Sequence, residues 1–239
     1  MKKAVKKILL ILSVIFVMLI GAGLIYYFPM FLMHPAKAGQ ISNRNIYVVE
    51  DFGNGLFLVK TENGYIMIDA GTDIKRIENY FQKSNKNIND VKWIFITHSD
   101  GDHLAALPLF PHANIYMNKD ELQLINGTMK RIFLVGNKLP SGINIDRIIP
   151  LSNGQELIID GTSIKCITAP GHTIGSMMYL VEDKYLFTGD AIKIKNGNMS
   201  VHPYSMNNNQ SKKTIEELRE IISNSQIVIT SHYGIYYNN

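Results

Sequence analysis

The sequence predicts an α/β layered domain preceded by one apolar helix. After residue 40, strand-like apolar runs come in consecutive blocks, with helical patterns between and after them rather than in strict alternation. That order is typical of two sheets packed face to face with helices outside. The preceding helix is predicted from residues 8–28, which include no charged residue.

The apolar run 8–28 predicts a membrane anchor. Its 21 residues would span about 30 Å as a helix, the thickness of a bilayer core. Four lysines precede it and only Lys37 follows closely, which predicts a single-pass protein with a cytoplasmic N-terminus and an extracytoplasmic domain. "AKA" at 36–38 also resembles a signal-peptidase site, and cleavage after Ala38 would release a secreted protein. The predicted organisation is an anchor or signal segment at 1–38 and a domain at 39–239.

Short β-rich runs separated by turn residues predict the first elements of the domain. Strands are expected at 45–50, 55–60 and 64–71. Apolar residues at helical spacing then predict a helix over 72–84, with Thr72 or Asp73 as its N-cap. The further predicted elements are strand 91–98, helix 103–110, strand 113–117, helix 118–127, a hairpin at 155–170 around Asp160-Gly161, two strands within 176–191, helix 207–224 and strand 226–232.

Composition excludes two classes of protein. The net charge of +4 comes from the N-terminus, because residues 1–38 hold five lysines and no acid, which leaves 19 basic and 20 acidic residues beyond. No basic face for nucleic acid is therefore indicated. Cys166 is the single cysteine, so an intramolecular disulfide and a cysteine zinc finger are both excluded, and we expect it to be buried on a strand.

Polar side chains follow several strand-like runs at the point where each run ends. His98, His172, Asp190 and His232 all occupy such positions, and strand ends at one edge of a sheet converge readily. The first of them opens the stretch "THSDGDH" (97–103). Asp-Gly alone is typical of a turn, and a calcium loop of the EF-hand type would need a downstream glutamate that is absent here. The joint occurrence of the clusters favours a metal site.

Five segments in order resemble the metallo-β-lactamase-fold hydrolase superfamily. They are "MIDAG" (67–71), "THSDGDH" (97–103), "APGHTIGS" (169–176), "LFTGDA" (186–191) and "TSHYG" (230–234). The resemblance implies an αββα sandwich of two mixed sheets flanked by helices, with a two-metal site at one edge. It also implies the ligands, which are His98, Asp100 and His172 for the first metal, Asp102, His103 and His232 for the second, and Asp190 between them. Asp69 would order the site without binding metal.

The chemistry of these side chains agrees with that implication. Asp100, Asp102 and Asp190 would place three negative charges in one pocket, and two divalent ions would remove the repulsion. Histidine and carboxylate ligands suit zinc. Two ions can share a hydroxide and polarise the substrate, with Asp102 orienting the nucleophilic water as the catalytic residue. The predicted function is a metal-dependent hydrolase that cleaves an ester, thioester, lactone or phosphodiester in a small-molecule substrate.

Two positions depart from the commonest family pattern. Asp100 replaces the second histidine of the first motif, which makes that site harder and leaves iron or manganese open beside zinc. Asp100 could also point away, so that only one metal binds well. Asp190 stands where the best-known antibiotic-hydrolysing members have cysteine, so the resemblance is to the glyoxalase-II-like and lactonase-like branches. An alternative function is an iron-dependent redox enzyme or a non-catalytic ligand-binding protein on the same fold.

The segment 193–209 is expected to form part of the substrate wall. His202 and Tyr204 within it are candidates for substrate contact, and an ordinary surface loop is the alternative.

Overall fold

A computed structural model describes residues 2–41, 45–49, 51–131 and 137–238 of the chain, with side chains from residue 5 onward. The chain divides into two compact units, Met1–Met33 and His34–Asn239. The predicted boundary between residues 38 and 39 stays a prediction.

The first unit is an apolar helix. Helix α1 spans Lys2–Tyr27, and a short 3-10 helix, Phe28–Leu32, follows it. Val5–Leu32 is long and apolar enough to cross a membrane. The predicted N-terminal apolar helix is therefore confirmed. The same length and composition also fit a signal sequence.

The first sheet of the second unit has seven strands in chain order. They are β1 (Gly39–Gln40), β2 (Ile46–Val49), β3 (Leu56–Lys60), β4 (Tyr65–Ile68), β5 (Val91–Ile96), β6 (Asn114–Asn118) and β7 (Ile148–Leu151). Pairs up to β4 are antiparallel and pairs from β4 onward are parallel, so the sheet is mixed. The helices α2 (Ile74–Lys83), α3 (Gly101–Leu104) and α4 (Leu122–Ile125) lie in the connections between the parallel strands.

The second sheet has six strands in the order β15-β14-β11-β10-β9-β8. They are β8 (Glu156–Ile159), β9 (Thr162–Thr168), β10 (Met177–Val181), β11 (Tyr185–Gly189), β14 (Ile227–Thr230) and β15 (Ile235–Tyr237). A separate hairpin, β12 (Lys193–Lys195) and β13 (Asn198–Ser200), precedes α5 (Asn208–Glu217) and α6 (Arg219–Asn224). Only the pairing of β11 with β14 is parallel, so this sheet is mixed as well.

Alternation along the strands produces the layers of the sandwich. On β3, Leu58 packs into the cluster that covers the helical face of the first sheet, whereas Phe57 packs into the cluster between the sheets. On β11, Phe187 faces the same inter-sheet cluster, and Leu186 packs with residues of α5 and α6 on the opposite face. Because side chains alternate along a strand and both faces are covered, these strands are mostly apolar. The predicted αββα sandwich is confirmed.

Several predicted elements differ in detail from the observed ones. Predicted helix 103–110 is α3 followed by a 3-10 turn, Leu107–Leu109, and predicted helix 118–127 is a 3-10 turn, Lys119–Glu121, followed by α4. Predicted helix 207–224 is interrupted at Leu218, where α5 gives way to α6. The strands that were not predicted are β1, β7, β12, β13 and β15. Part of the predicted loop 193–209 is therefore a hairpin.

Two local predictions are confirmed. The turn between β8 and β9 contains Asp160 at φ 48° and Gly161 at φ 81°, as a tight hairpin requires. Cys166 is a free, buried thiol on β9, and burial raises its pKa to about 12.

Candidate metal centre

The predicted ligand residues lie at one edge of the sandwich, beyond the ends of strands from both sheets. His98 follows the end of β5, His172 follows β9, Asp190 follows β11 and His232 follows β14. The conformation of Gly189, with φ 53°, turns the chain from β11 into this edge. A Cβ at that position would come within 2.5 Å of Thr97 Oγ1, so the close approach of the two sheets requires glycine.

One carboxylate oxygen, Asp190 Oδ2, lies among the Nε2 atoms of five buried histidines. The distances from this oxygen are 3.3 Å to His232, 3.6 Å to His172, 3.6 Å to His202, 3.8 Å to His103 and 3.9 Å to His98. Two ligand atoms that each lie about 2.0–2.2 Å from one tetrahedral zinc ion are separated by about 3.3–3.6 Å. The spacing around Asp190 thus suits bound cations better than direct hydrogen bonds.

The side chains form sets that could each hold an ion. In every set the ligand atoms lie within 4.8 Å of one another, and the sets are His98 with Asp100 and His172, Asp102 with His103 and His232, His98 with His103 and Asp190, and His172 with Asp190 and His202. All seven residues predicted from the sequence are thus brought together. The first two sets match the two predicted sites, and the third places Asp190 between them. The assignment of these seven residues as metal ligands stays a prediction.

Unpartnered buried atoms provide a test of whether the site fits a metal. His98 Nε2, His103 Nε2, His202 Nε2 and Asp190 Oδ1 are buried and have no hydrogen-bond partner among the residues that the structure describes. A buried polar atom without a partner costs about 1–3 kcal/mol. Three such nitrogens around the Asp190 carboxylate, together with its own Oδ1, would be costly unless a ligand satisfies them, and the residues therefore fit a bound cation.

Hydrogen bonds at the far side of two rings orient their free nitrogens towards Asp190. His103 Nδ1 lies 2.8 Å from Asp69 Oδ2, and His232 Nδ1 lies 2.7 Å from the carbonyl oxygen of Gly53. Each acceptor holds the proton on Nδ1 and leaves the Nε2 lone pair available to a metal. Asp69 also accepts hydrogen bonds from the Thr97 amide at 2.8 Å and its hydroxyl at 2.9 Å. It has the contacts that its predicted ordering role requires.

Opposite charges balance one another in this cluster. Burial raises the pKa of Asp190, but the neighbouring histidines, His232 foremost, together hold that pKa well below its usual value. Burial likewise raises the pKa of Asp102, and His103 and His232 together lower it to about 2. Burial disfavours the charged form of His103, yet Asp69 and Asp102 raise its pKa to about 10. Protons on histidines thus offset the carboxylates, and a bound divalent ion would replace those protons.

Asp100 is held by an arginine that the sequence analysis did not identify. Arg131 donates from Nε to Asp100 Oδ1 at 2.7 Å and from Nη2 to Oδ2 at 2.8 Å. Asn137 Nδ2 donates to Oδ1 at 3.1 Å. The same Oδ2 lies 3.2 Å from His172 Nε2 and 3.5 Å from His98 Nε2, so Asp100 points into the site and not away from it.

The charge of Asp100 is compensated before any metal binds. Burial raises the pKa of its carboxyl group, but hydrogen bonds from His172, His98 and Arg131 hold that pKa well below its usual value. A two-point contact with a guanidinium is among the strong hydrogen-bond arrangements in proteins. Asp100 is therefore a weaker electron donor than a free carboxylate would be.

A second buried acid, Glu121, joins the two loops that bear His98 and His172. Its Oε2 accepts a hydrogen bond from the Ser99 amide at 2.7 Å, and its Oε1 accepts from the Gly175 amide at 2.8 Å and from the Thr173 hydroxyl. Glu121 is fully buried. These bonds fix the loop after β5 against the loop after β9.

Three residues of this site were missed or misplaced by sequence reasoning. Arg131 follows no strand-like run, and Glu121 falls inside the predicted helix 118–127, so neither was marked as a site residue. His202 was a candidate for substrate contact, with an ordinary surface loop as the alternative. It is 2% exposed and faces Asp190, which excludes an exposed surface loop. The backbone carbonyl of Tyr204 accepts a hydrogen bond from Arg131 at 2.9 Å, which places this segment against the site.

Comparison with known protein families identifies the superfamily of the chain. The sequence profile of the metallo-beta-lactamase superfamily matches residues 48–225. This range covers most of the chain, and the chain belongs to that superfamily. The predicted family and fold are thereby confirmed.

Curated relatives include named hydrolases. A probable metallo-hydrolase of Methanocaldococcus jannaschii is 28% identical over 176 residues, which cover 72% of each chain. A probable zinc-dependent hydrolase of polyketide biosynthesis from Bacillus velezensis is 29% identical over 156 residues, or 64% of this chain and 57% of the relative. The predicted class, a metal-dependent hydrolase, is confirmed by these comparisons.

Solved structures share the fold at low sequence identity. A metallo-beta-lactamase from Cronobacter sakazakii superposes with a TM-score of 0.60 at 20% identity, covering 84% of this chain and 79% of the other. An archaeal superfamily protein from Sulfolobus tokodaii superposes with a TM-score of 0.58 at 21% identity, covering 82% of both chains. These similarities concern the fold alone.

Proposed function

We propose that this chain hydrolyses a small ester, thioester, lactone or phosphodiester with two metal ions held at the edge of the sandwich. The observation that carries the proposal is the convergence of five imidazole Nε2 atoms on Asp190 Oδ2, at 3.3–3.9 Å. His98, Asp100 and His172 would hold the first ion. Asp102, His103 and His232 would hold the second, with Asp190 between them.

Each group in the site has a part in this reaction. When bound, two metal ions supply a nucleophile from water at neutral pH and a Lewis acid for the substrate oxygen. Asp102, whose side chain is 39% exposed, is the ligand open to solvent and would orient the attacking water. Asp69 fixes the His103 ring, and Arg131 holds Asp100 in place.

The donors favour zinc over iron or manganese. Five imidazoles surround Asp190, and the charge of Asp100 is already compensated by Arg131. Imidazole-rich sites suit zinc, whereas harder ions prefer uncompensated carboxylates. The argument for iron-dependent redox chemistry from Asp100 is correspondingly weakened. One relative, the Bacillus velezensis protein, is itself named as zinc-dependent.

Hydrolysis and metal dependence can be tested together. The full chain, purified in detergent, is assayed against 4-nitrophenyl acetate, a γ-lactone, a thioester and bis(4-nitrophenyl) phosphate. We expect turnover of at least one substrate, its loss in chelator and its return on adding zinc. Turnover that persists in chelator would contradict the proposal, as would turnover that depends on oxygen.

We further propose that α1 is a retained membrane anchor that leaves the hydrolase domain extracytoplasmic. Its exposed apolar side chains and the four lysines that precede residue 8 support this orientation. The substrate would then be a molecule that is present outside the cytoplasm.

A further inference from the structure

His202 occupies a position in the site that the family resemblance does not assign. It lies just after β13, it is 2% exposed, and its Nε2 has no hydrogen-bond partner among the described residues. That nitrogen lies 3.6 Å from Asp190 Oδ2, the same distance as His172 Nε2. An imidazole nitrogen that has no hydrogen-bond partner and points at a buried carboxylate is in an environment typical of a metal ligand.

His202 belongs to a closed group of ligand atoms. Its ligand atom, that of His172 and that of Asp190 all lie within 4.8 Å of one another. The His202 ring is 4.7 Å from the His172 ring, and the His172 ring is 4.6 Å from the His98 ring, between ring centroids. Three imidazoles therefore follow one another on the side of Asp190 where the first ion is proposed.

The backbone around His202 is tied to the loop that bears His172. The Met206 amide donates to the His172 carbonyl at 2.9 Å, and the Asn207 amide donates to the Gly171 carbonyl at 2.9 Å. The Ser205 hydroxyl donates to the His202 carbonyl at 2.9 Å. The position of the His202 ring relative to His172 is thus fixed by the fold, as a metal ligand requires.

Asp100 leaves a gap in the first site that His202 can fill. Both oxygens of Asp100 accept hydrogen bonds from Arg131, and one of them also accepts from Asn137. A carboxylate so occupied binds a cation weakly, because the guanidinium already neutralises its charge. The commonest family pattern has a neutral imidazole where Asp100 stands.

We propose that His202 is a ligand of the first metal ion, together with His98, His172 and Asp190. The inference rests on the proposed metal centre and revises its first ion, where His202 takes the place of Asp100 as a ligand. Asp100 then serves mainly to hold Arg131 and the Asn137 segment beside the ion. Imidazoles combined with one carboxylate are ligands of the kind that zinc prefers.

One contact of His202 must weaken for this arrangement. Its Nδ1 lies 3.4 Å from the Tyr204 amide nitrogen, at the long limit of hydrogen bonding. Ligation through Nε2 leaves the proton on Nδ1, so this contact is lost. The loss is small, because an N–H···N contact at that distance is already weak, and a bond from Nε2 to a metal more than offsets it.

Metal binding by variants tests the proposal. The full chain is stripped of metal and titrated with Co²⁺ and Zn²⁺ against a competing chelator, with visible absorption of Co²⁺ as a coordination readout. We expect His202→Ala and His202→Gln to keep one tight equivalent and to lose the other. The affinity loss should exceed the about 10–100-fold that follows removal of an outer partner of a ligand. Zinc X-ray absorption should show fewer imidazoles per ion.

The control is His112→Ala, an exposed histidine outside the site. It should leave both equivalents and the Co²⁺ spectrum unchanged. Circular dichroism and urea unfolding of the metal-free His202 variants verify that they fold. If both variants fold and bind two equivalents with unchanged affinity and spectrum, His202 is not a ligand, even if hydrolysis falls. If the unaltered chain binds no metal, the proposed function itself fails, and the two failures are therefore distinguishable.

Discussion

At the scale of single residues, the side chains gathered around Asp190 are held in place by partners that lie far away along the chain. His98, His172, Asp190 and His232 each follow an apolar strand-like run, and that position marks them in the sequence. Arg131 follows no such run, and Glu121 lies inside the predicted helix 118–127. Their partners are 31 and 22 residues away along the chain, at Asp100 and Ser99, and only the packed fold brings them together.

The ordering role of Asp69 leads to a prediction for metal affinity. The Asp69→Asn substitution removes the negative charge that holds the proton on His103 Nδ1. We expect an about 10–100-fold loss of affinity at the second site, measured by chelator competition. Asp183→Asn, in an exposed turn at φ 50°, is the matched control and should bind as the unaltered chain does. Equal affinity of Asp69→Asn and the unaltered chain would exclude this role.

The Asp100–Arg131 pair leads to a prediction for stability. Arg131→Met removes the partner of a largely buried carboxylate, which should cost about 3 kcal/mol of unfolding free energy in metal-free protein, because breaking a buried pair leaves an uncompensated charge. Asp100→Asn should cost a comparable amount. The double variant should lose less free energy of unfolding than the two single variants lose in sum. Urea unfolding in chelator measures all four proteins, and strictly additive costs would show that the two side chains do not interact.

At the scale of elements, long apolar runs were predictable and short edge pieces were not. The strands β3, β4 and β5 are largely buried on both faces, so their sequences are mostly apolar, with exposed lysines only at Lys60 and Lys92. By contrast, β7 contains Pro150 and lies at the edge of its sheet, where a missing N–H donor is tolerated. The interruption between α5 and α6 at Leu218 has neither proline nor glycine to mark it.

Glu121 tests whether the loops after β5 and β9 must be fastened together. Both carboxylate oxygens of Glu121 accept hydrogen bonds, one from the Ser99 amide and one from the Gly175 amide. Glu121→Gln replaces one of these oxygens by an NH2 group, which cannot accept. We expect a loss of about 1–3 kcal/mol in unfolding free energy and weaker metal binding at the first site. Urea unfolding and chelator competition measure the two effects. The exposed Glu220→Gln is the control, and a variant at Glu121 that behaves like it would refute the role.

At the scale of the whole molecule, the layered architecture follows from the order of elements and the family resemblance together. Consecutive strand blocks predicted two sheets, and the alternation of Phe57 with Leu58 explains how the first sheet is covered on both faces. The N-terminal apolar helix could be predicted because residues 8–28 carry no charge. Whether that helix is retained depends on cellular processing, which local sequence patterns indicate only by resemblance to a cleavage site.

Retention and orientation of α1 can be measured in bacterial cells. We expect a C-terminal fusion to alkaline phosphatase to show high phosphatase activity, and a C-terminal fusion to a cytoplasmic fluorescent reporter to show low fluorescence. Both results are expected because the lysines before residue 8 stay inside the cell. The chain should remain in the membrane pellet after an alkaline wash. A soluble mature chain that begins at Gly39 would instead establish cleavage, and a fluorescent fusion would contradict the orientation.

The metal content of the purified full chain tests the central claim most directly. After dialysis against metal-free buffer, elemental analysis should find close to two zinc equivalents per chain, and Asp190→Asn should lose metal from both sites because Asp190 Oδ2 lies between them. Chelator should lower the unfolding midpoint of the unaltered chain, since bound ligands stabilise the folded state. A folded protein that holds no metal and unfolds at the same midpoint with or without chelator would contradict the account.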